Sequence, residues 1–134
     1  MGSIKLETTG LKPTDLAYMA GFFDGEGCVL PDAIQVDNTC PHPLELFRDT
    51  WGGKIILKKK QNGVARTQYR CVSYGETART AARDMLPYLK EKKSQAEIFL
   101  TMLEYPKASA TREYCVRQLK FLKRIDYDDY ARSG

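Results

Sequence analysis

Residues 16–27 read LAYMAGFFDGEG, an apolar helical segment that runs straight into two glycine-flanked acids, Asp24 and Glu26. Cations suit the negative C-terminal end of a helix dipole, so a helix closing on two carboxylates needs something positive there. A hard metal cation, which takes oxygen ligands, meets that need. The same stretch carries Ala17, Ala20, Gly21 and Gly25 at helical spacings of three and four. They predict a strip nearly free of side chains on which a second backbone can approach closely. Leu16, Met19, Phe22 and Phe23 point elsewhere and can enter a core. Such a helix has two packing faces and can meet its own twin. Two Glu26 side chains then lie near a two-fold axis, where paired acids can hold divalent ions for in-line phosphodiester hydrolysis. A plainer reading also fits: a buried helix whose DGEG is only a turn into a strand.

A basic ribbon is the second informative feature. Lys54, Lys58, Lys59, Lys60, Arg66 and Arg70 fall between Gly53 and Arg70, with no acid among them. In an extended strand, Lys54, Lys58 and Lys60 share one face and Ile55 and Leu57 the other. Arg66, Gln68 and Arg70 likewise share a face. A hairpin with a basic, amide-bearing face can lie along phosphates and read base edges. Lysines also protect an edge strand from aggregation, but six cations exceed that need. Tyr69 and Tyr74 fall on opposite faces, which argues against a stacking platform for bases.

The rest of the composition narrows the class. The chain has 134 residues, is 43% hydrophobic and carries a net charge of +4, enough for one core-bearing domain with a mild lean toward anionic partners. No apolar run approaches the ~20 residues of a membrane span, so no membrane partner is expected. Cys28, Cys40, Cys71 and Cys115 are widely spaced without a CxxC, which suits free thiols in a reducing cytoplasm. A zinc site from Cys28, Cys40 and His42 has the wrong spacing for known ribbons. His42, the single histidine, sits between Pro41 and Pro43 as a helix-start residue, so a histidine-based triad has little support. Phosphate-loop and dinucleotide glycine motifs are absent.

Periodicity gives a sequence of elements. A helix is expected over 14–25 with Thr14 as N-cap, and a strand over 33–39 with Ile34 and Val36 opposite Gln35 and Asp37. A helix over 44–51 ends at Gly52-Gly53. Strands over 54–60 and 66–74 flank Gln61-Asn62-Gly63, a hairpin signal. Helices follow over 76–86, stopping before Pro87, and over 94–105, with Ser94 and Glu97 in a capping-box pattern. A last amphipathic helix covers 108–124. The polar ends, 1–12 and 126–134, are expected to be loose, and the acids Asp126, Asp128 and Asp129 read as an exposed tail.

The stretch MAGFFDGEG, residues 19–27, resembles the signature of the LAGLIDADG homing endonucleases nearly position by position. The order that follows is similar to theirs as well: IQVDNT (34–39), WGGKI (51–55), the basic ribbon, and LPYLKEKKSQA (86–96). The resemblance covers roughly residues 14 to 104. It implies an α+β, αββαββα domain with a mostly antiparallel sheet and C-terminal helices. It implies that Glu26 is a metal-binding carboxylate and that Gly25 offers a carbonyl close to the metals. Asn38 falls where the family places a water-positioning polar side chain. Lys92 falls where it places a lysine near the scissile phosphate, with Lys93 as the other register. One motif per chain implies a homodimer, here through Ala17, Ala20 and Gly21.

One departure stands out. Family members run from the motif into a long two-stranded ribbon, but here only ten residues, 28–37, separate Gly27 from Asn38. Two ordinary strands and a turn need roughly 12–17 residues. The only turn candidate is Pro31-Asp32, and proline cannot supply the positive φ that tight hairpins favour. The first recognition hairpin is therefore expected to be truncated or missing.

Two functions follow. The first is cleavage of double-stranded DNA by a homodimer using Mg²⁺ or Mn²⁺, with Glu26, Lys92 and Asn38 catalytic and Glu26 and Gly25 at the metal. Gln35, Lys54, Lys58, Lys60, Arg66, Gln68 and Arg70 would face the nucleic acid. The second is a non-cleaving domain that kept the architecture and binds DNA or another polyanion, intron RNA, a small nucleotide or a protein partner.

Overall fold

The computed structural model of the protein describes residues 11–58 and 67–125. Helix α1, Pro13–Glu26, begins one residue before the expected Thr14 cap. Proline presets the helical φ and has no amide to leave unsatisfied at the first position, so Lys12 becomes the cap. The Lys12 carbonyl accepts from the amides of Asp15 and Leu16 at 3.0 and 3.1 Å. Met19, Ala20 and Phe23 are buried, and Leu16 and Phe22 half-buried.

Strands β1 (Gly27–Val29), β2 (Ala33–Asn38), β3 (Lys54–Lys58) and β4 (Gln68–Tyr74) form one antiparallel sheet in the order β1-β2-β4-β3. Helix α2, His42–Trp51, connects its two halves and starts at His42, as the flanking prolines suggest. Helix α3, Gly75–Met85, follows β4 and leads into a 3₁₀ turn at Leu86–Tyr88 that contains Pro87. Helices α4, Lys93–Met102, and α5, Ala110–Leu122, complete the chain. The α+β architecture is thus the expected αββαββα order with helices appended.

The first hairpin is present but truncated. Its strands pair at three positions, Gly27 with Val36 through Val29 with Ile34. Residues 30–32 close it, with the Leu30 amide donating to the Ala33 carbonyl at 2.8 Å. No residue of this turn has a positive φ, consistent with Pro31.

Alternation splits the sheet as the pattern requires. Val29, Ile34, Val36 and Cys71 are buried against Met19, Phe23, Leu44, Ala78, Met85 and Phe99. Burial pushes the Cys71 thiol up to about 11. Cross-strand partners bring Gln35, Asp37, Lys54, Lys58, Gln68 and Arg70 together on the opposite face. All four cysteines are free thiols.

A second capping expectation is corrected, after that for Thr14. Ser94 is not the cap of α4, which starts at Lys93 with Lys92 as cap and no side-chain cap bond. The reason is tertiary: Asp24 fixes the preceding loop, as described below, so the helix opens a residue early. In α5 the cap is Ser109, whose hydroxyl accepts from the Arg112 amide at 3.2 Å. The expectations for Lys59, Lys60, Arg66, the turn at Gln61-Asn62-Gly63 and the chain ends (1–10 and 126–134) lie outside the described residues; Leu11 packs on the core. Among the described residues no helix is long and apolar enough to cross a membrane.

Candidate metal and nucleic-acid site

Helix α1 ends on two acids with opposite environments. The Asp24 carboxylate accepts from the Lys90 amide at 2.7 Å and the Lys92 amide at 3.0 Å. The Lys92 ammonium donates to the Asp24 carbonyl, so a cation sits on the negative end of the helix. Lys92 is buried, with Glu91 at 3.6 Å as its carboxylate neighbour. The positive group that the sequence required is therefore, for Asp24, part of the protein itself. Glu26 differs: it is exposed and makes no hydrogen bond or ion pair among the described residues.

The glycines around these acids also differ. A Cβ on Gly27 would lie 2.3 Å from the Phe23 ring, so any side chain there would require the ring to move. A Cβ on Gly21 or Gly25 would meet nothing within 4 Å. Both are exposed, as is Ala17. Ala20 is corrected: it is wholly buried in the protomer's own core. Residues four apart drift only 40° around a helix, whereas Ala20 stands 100° from Gly21. The open strip is thus Ala17, Gly21 and Gly25.

Asn38 closes β2, two residues beyond Val36, the partner of Gly27. Its Nδ2 donates to the Cys40 carbonyl at 3.1 Å. Beside Gly27 and Lys92 lies a cavity of about 440 Å³, also lined by Ser94, Gln95 and Lys123. Lys123 Nζ is 3.5 Å from Cys28 Sγ. No sequence signal pointed to Lys123, because α5 reaches the cavity only through the packing of the fold.

The sheet face brings three of the expected cations together: Lys54, Lys58 and Arg70. The absence of a compensating acid within the ribbon does not hold in space. Asp37, on the neighbouring strand, accepts from Arg70 Nε at 2.8 Å, Arg70 Nη2 at 3.0 Å and Lys58 Nζ at 3.0 Å. Lys58 also donates to Gln68 Oε1 at 3.3 Å. Burial disfavours the charged Asp37, yet the Arg70 and Lys58 hydrogen bonds outweigh it and hold the carboxyl below its ordinary value. Gln35 lies on the same face, one step along β2 from the Asp37–Arg70 pair.

Solved structures with this architecture include two complexes of the homing endonuclease I-CvuI. One holds the I-CreI target in 2 mM Mg with the DNA not cleaved; it has a TM-score of 0.66 and 19% identity over 84% of each chain. The fold is that of a homing endonuclease. The other holds the enzyme's own target in 2 mM Ca, with a TM-score of 0.64 and 18% identity over 84% of each chain. No protein-family model matches the sequence, and no curated protein matches it. In the homing-endonuclease fold of this chain, the α1 terminus carries Glu26 and receives Lys92 from the start of α4, and the sheet carries the Asp37-centred polar network.

Proposed function

We propose that the chain is a divalent-metal-dependent endonuclease of double-stranded DNA that acts as a homodimer. The observation that carries this reading is the free Glu26. Two residues earlier, Asp24 is consumed by the protein's own loop, while Glu26 stays exposed and unpartnered at the negative end of a helix. Such a carboxylate contributes nothing to the protomer and is suited to an external cation.

Among the described residues no three metal-ligating side chains converge in one protomer. Mg²⁺ is commonly held by one or two carboxylates with waters and substrate phosphates, which two Glu26 across a two-fold axis would provide. Glu26 and the Gly25 carbonyl are the groups that would hold Mg²⁺ or Mn²⁺. When bound, the ion supplies Lewis acidity to a phosphodiester. Lys92, fixed on the Asp24 carbonyl, places positive charge at the same corner to stabilise charge developing on the phosphoryl group. Asn38 uses Nδ2 locally, which leaves Oδ1 as an acceptor for a water.

Dimerisation rests on the open strip of α1. Glycine inside a helix destabilises by about 0.5–1 kcal/mol relative to alanine. Among the described residues nothing crowds positions 21 and 25, which supports an approaching twin helix as the reason for glycine there. Gly21→Leu should convert a light-scattering dimer into monomer. Free thiols suit a reducing intracellular compartment.

The deciding experiment is incubation with a randomised duplex library in Mg²⁺ or Mn²⁺, with binding measured in parallel in Ca²⁺. Cleavage in the first and retention in the second are expected. The three-pair first hairpin favours the second reading, a non-cleaving binder of DNA, RNA, a small nucleotide or a protein. Retention without cleavage in any ion would select it.

A further inference from the structure

We infer that Asp37 is a positioning residue that aims Arg70 at a guanine, so that each half-site of the bound duplex carries an obligatory G·C pair. The inference rests on the DNA-binding reading above and names the base that this part of the sheet selects.

The donors of one guanidinium set the geometry. Arginine has five N–H donors in a planar fork and no acceptor. Asp37 takes the side edge of Arg70, through Nε at 2.8 Å and Nη2 at 3.0 Å. That leaves the end edge, one N–H each from Nη1 and Nη2, as a pair of parallel donors. The side chain of Arg70 is 28% exposed, and among the described residues its end edge has no hydrogen-bond partner. An arginine held on one edge by a carboxylate has lost most of its rotamer freedom before the ligand arrives, which lowers the entropy lost on binding.

The environment weakens the pull of this arginine toward phosphates. A lone exposed arginine follows phosphates on any sequence. Here the Asp37 carboxylate neutralises it locally and also takes Lys58 Nζ at 3.0 Å. Lys58 is steadied by Gln68 at 3.3 Å. The centre of the face is therefore a braced network with reduced charge, flanked by the unbraced Lys54. Reduced charge weakens attraction to phosphates, and bracing strengthens directional reading. Sequence information is carried by base edges and not by phosphates.

The geometry of two parallel donors then selects the base. In the major groove, guanine presents two adjacent acceptors, N7 and O6. Adenine pairs an acceptor with a donor, cytosine presents a donor, and thymine one acceptor beside a methyl group. Only guanine satisfies both free N–H groups of the Arg70 end edge. A carboxylate beside the arginine also repels phosphates, which penalises binding out of register.

The test is selection from a randomised duplex library in Ca²⁺, followed by affinity measurements on duplexes that vary one base pair at a time. Wild type should enrich a guanine at one fixed position per half-site. Changing that pair should weaken binding by about 5- to 150-fold, the range for one bidentate contact. Arg70→Lys keeps the charge but loses the fork, and should flatten the preference at that position alone. Asp37→Asn should flatten the same position while raising affinity for unrelated DNA, because a negative charge is removed. A purely structural Asp37 would instead weaken binding to all sequences together, unrelated DNA included. Affinity for unrelated duplexes, measured well below the melting temperature of each variant, separates the two. DNA binding with no guanine preference, or with a preference that survives both substitutions, would overturn the inference and leave the DNA-binding reading intact. No binding to any duplex would overturn both.

Discussion

The two sides of the α1 terminus make an instructive contrast. On the inner side, Asp24 binds the amides of Lys90 and Lys92, and Gly27 packs under the Phe23 ring. On the outer side, Glu26 has no side-chain partner among the described residues, and Gly21 and Gly25 face open space there. The same short motif thus holds one set of residues committed to the fold and another set with no role in the protomer. Residues committed to the fold should fail in stability assays. The uncommitted ones should fail only in assembly or chemistry.

The largest effect on folding is expected from Asp24→Ala. It leaves two loop amides without their charged acceptor and frees the segment that positions Lys92. A loss of about 1.5–3 kcal/mol is expected, the range for a hydrogen bond to a charged group, measured as a shifted urea midpoint. An unchanged midpoint would erase the distinction between the two sides.

The glycines give a smaller and signed test. Gly27→Ala forces a Cβ to 2.3 Å from the Phe23 ring and should destabilise by about 1–3 kcal/mol. Gly25→Ala meets nothing and should stabilise the protomer by about 0.5–1 kcal/mol. The same Gly25→Ala change should weaken the dimer. Equal effects from both substitutions would show that packing inside the protomer does not separate them.

The smallest effect concerns the sheet. The folded pKa of Asp37 is lowered from its ordinary value of 3.8. The unfolded chain therefore takes up the proton first as pH falls. The stabilisation from Asp37 is complete above the unfolded value and is lost as pH falls through the folded one. The stability gap between wild type and Asp37→Asn should be constant near neutrality and close only below about pH 4. Because the pair is partly exposed, added salt should narrow the gap.

These contrasts also mark what the sequence made legible. The apolar period located α1, and the alternation of Ile34 and Val36 with Gln35 and Asp37 located the two faces of β2. The ten-residue gap after Gly27 pointed to a truncated or missing hairpin, because residue count limits strand length directly. The Asp24 clamp was not legible, since its partners lie 66 and 68 residues away. For the same reason the Ser94 capping box does not form, because a distant carboxylate decides where α4 begins. Ala20 shows a further limit. Small residues at spacings of three and four outline a strip, but neighbours 100° apart can lie on opposite sides of its edge. Asp37 was legible as a polar-face residue, while its pairing with Arg70 depends on a strand order that local pattern does not give.

The proposed role of Glu26, a carboxylate kept free for a metal, is tested most directly by one comparison. Wild type and Glu26→Gln should be assayed side by side on selected duplex DNA in Mg²⁺, with metal located by anomalous scattering in crystals soaked in Mn²⁺. Glutamine keeps the shape and removes one charge per subunit, so stability should change by no more than about 0.5 kcal/mol. Wild type should cleave and show Mn²⁺ at Glu26, while the variant should bind DNA at least as tightly, hold no metal and leave the strands intact. Wild type that binds DNA but neither cleaves it nor holds Mn²⁺ at Glu26 would contradict the account.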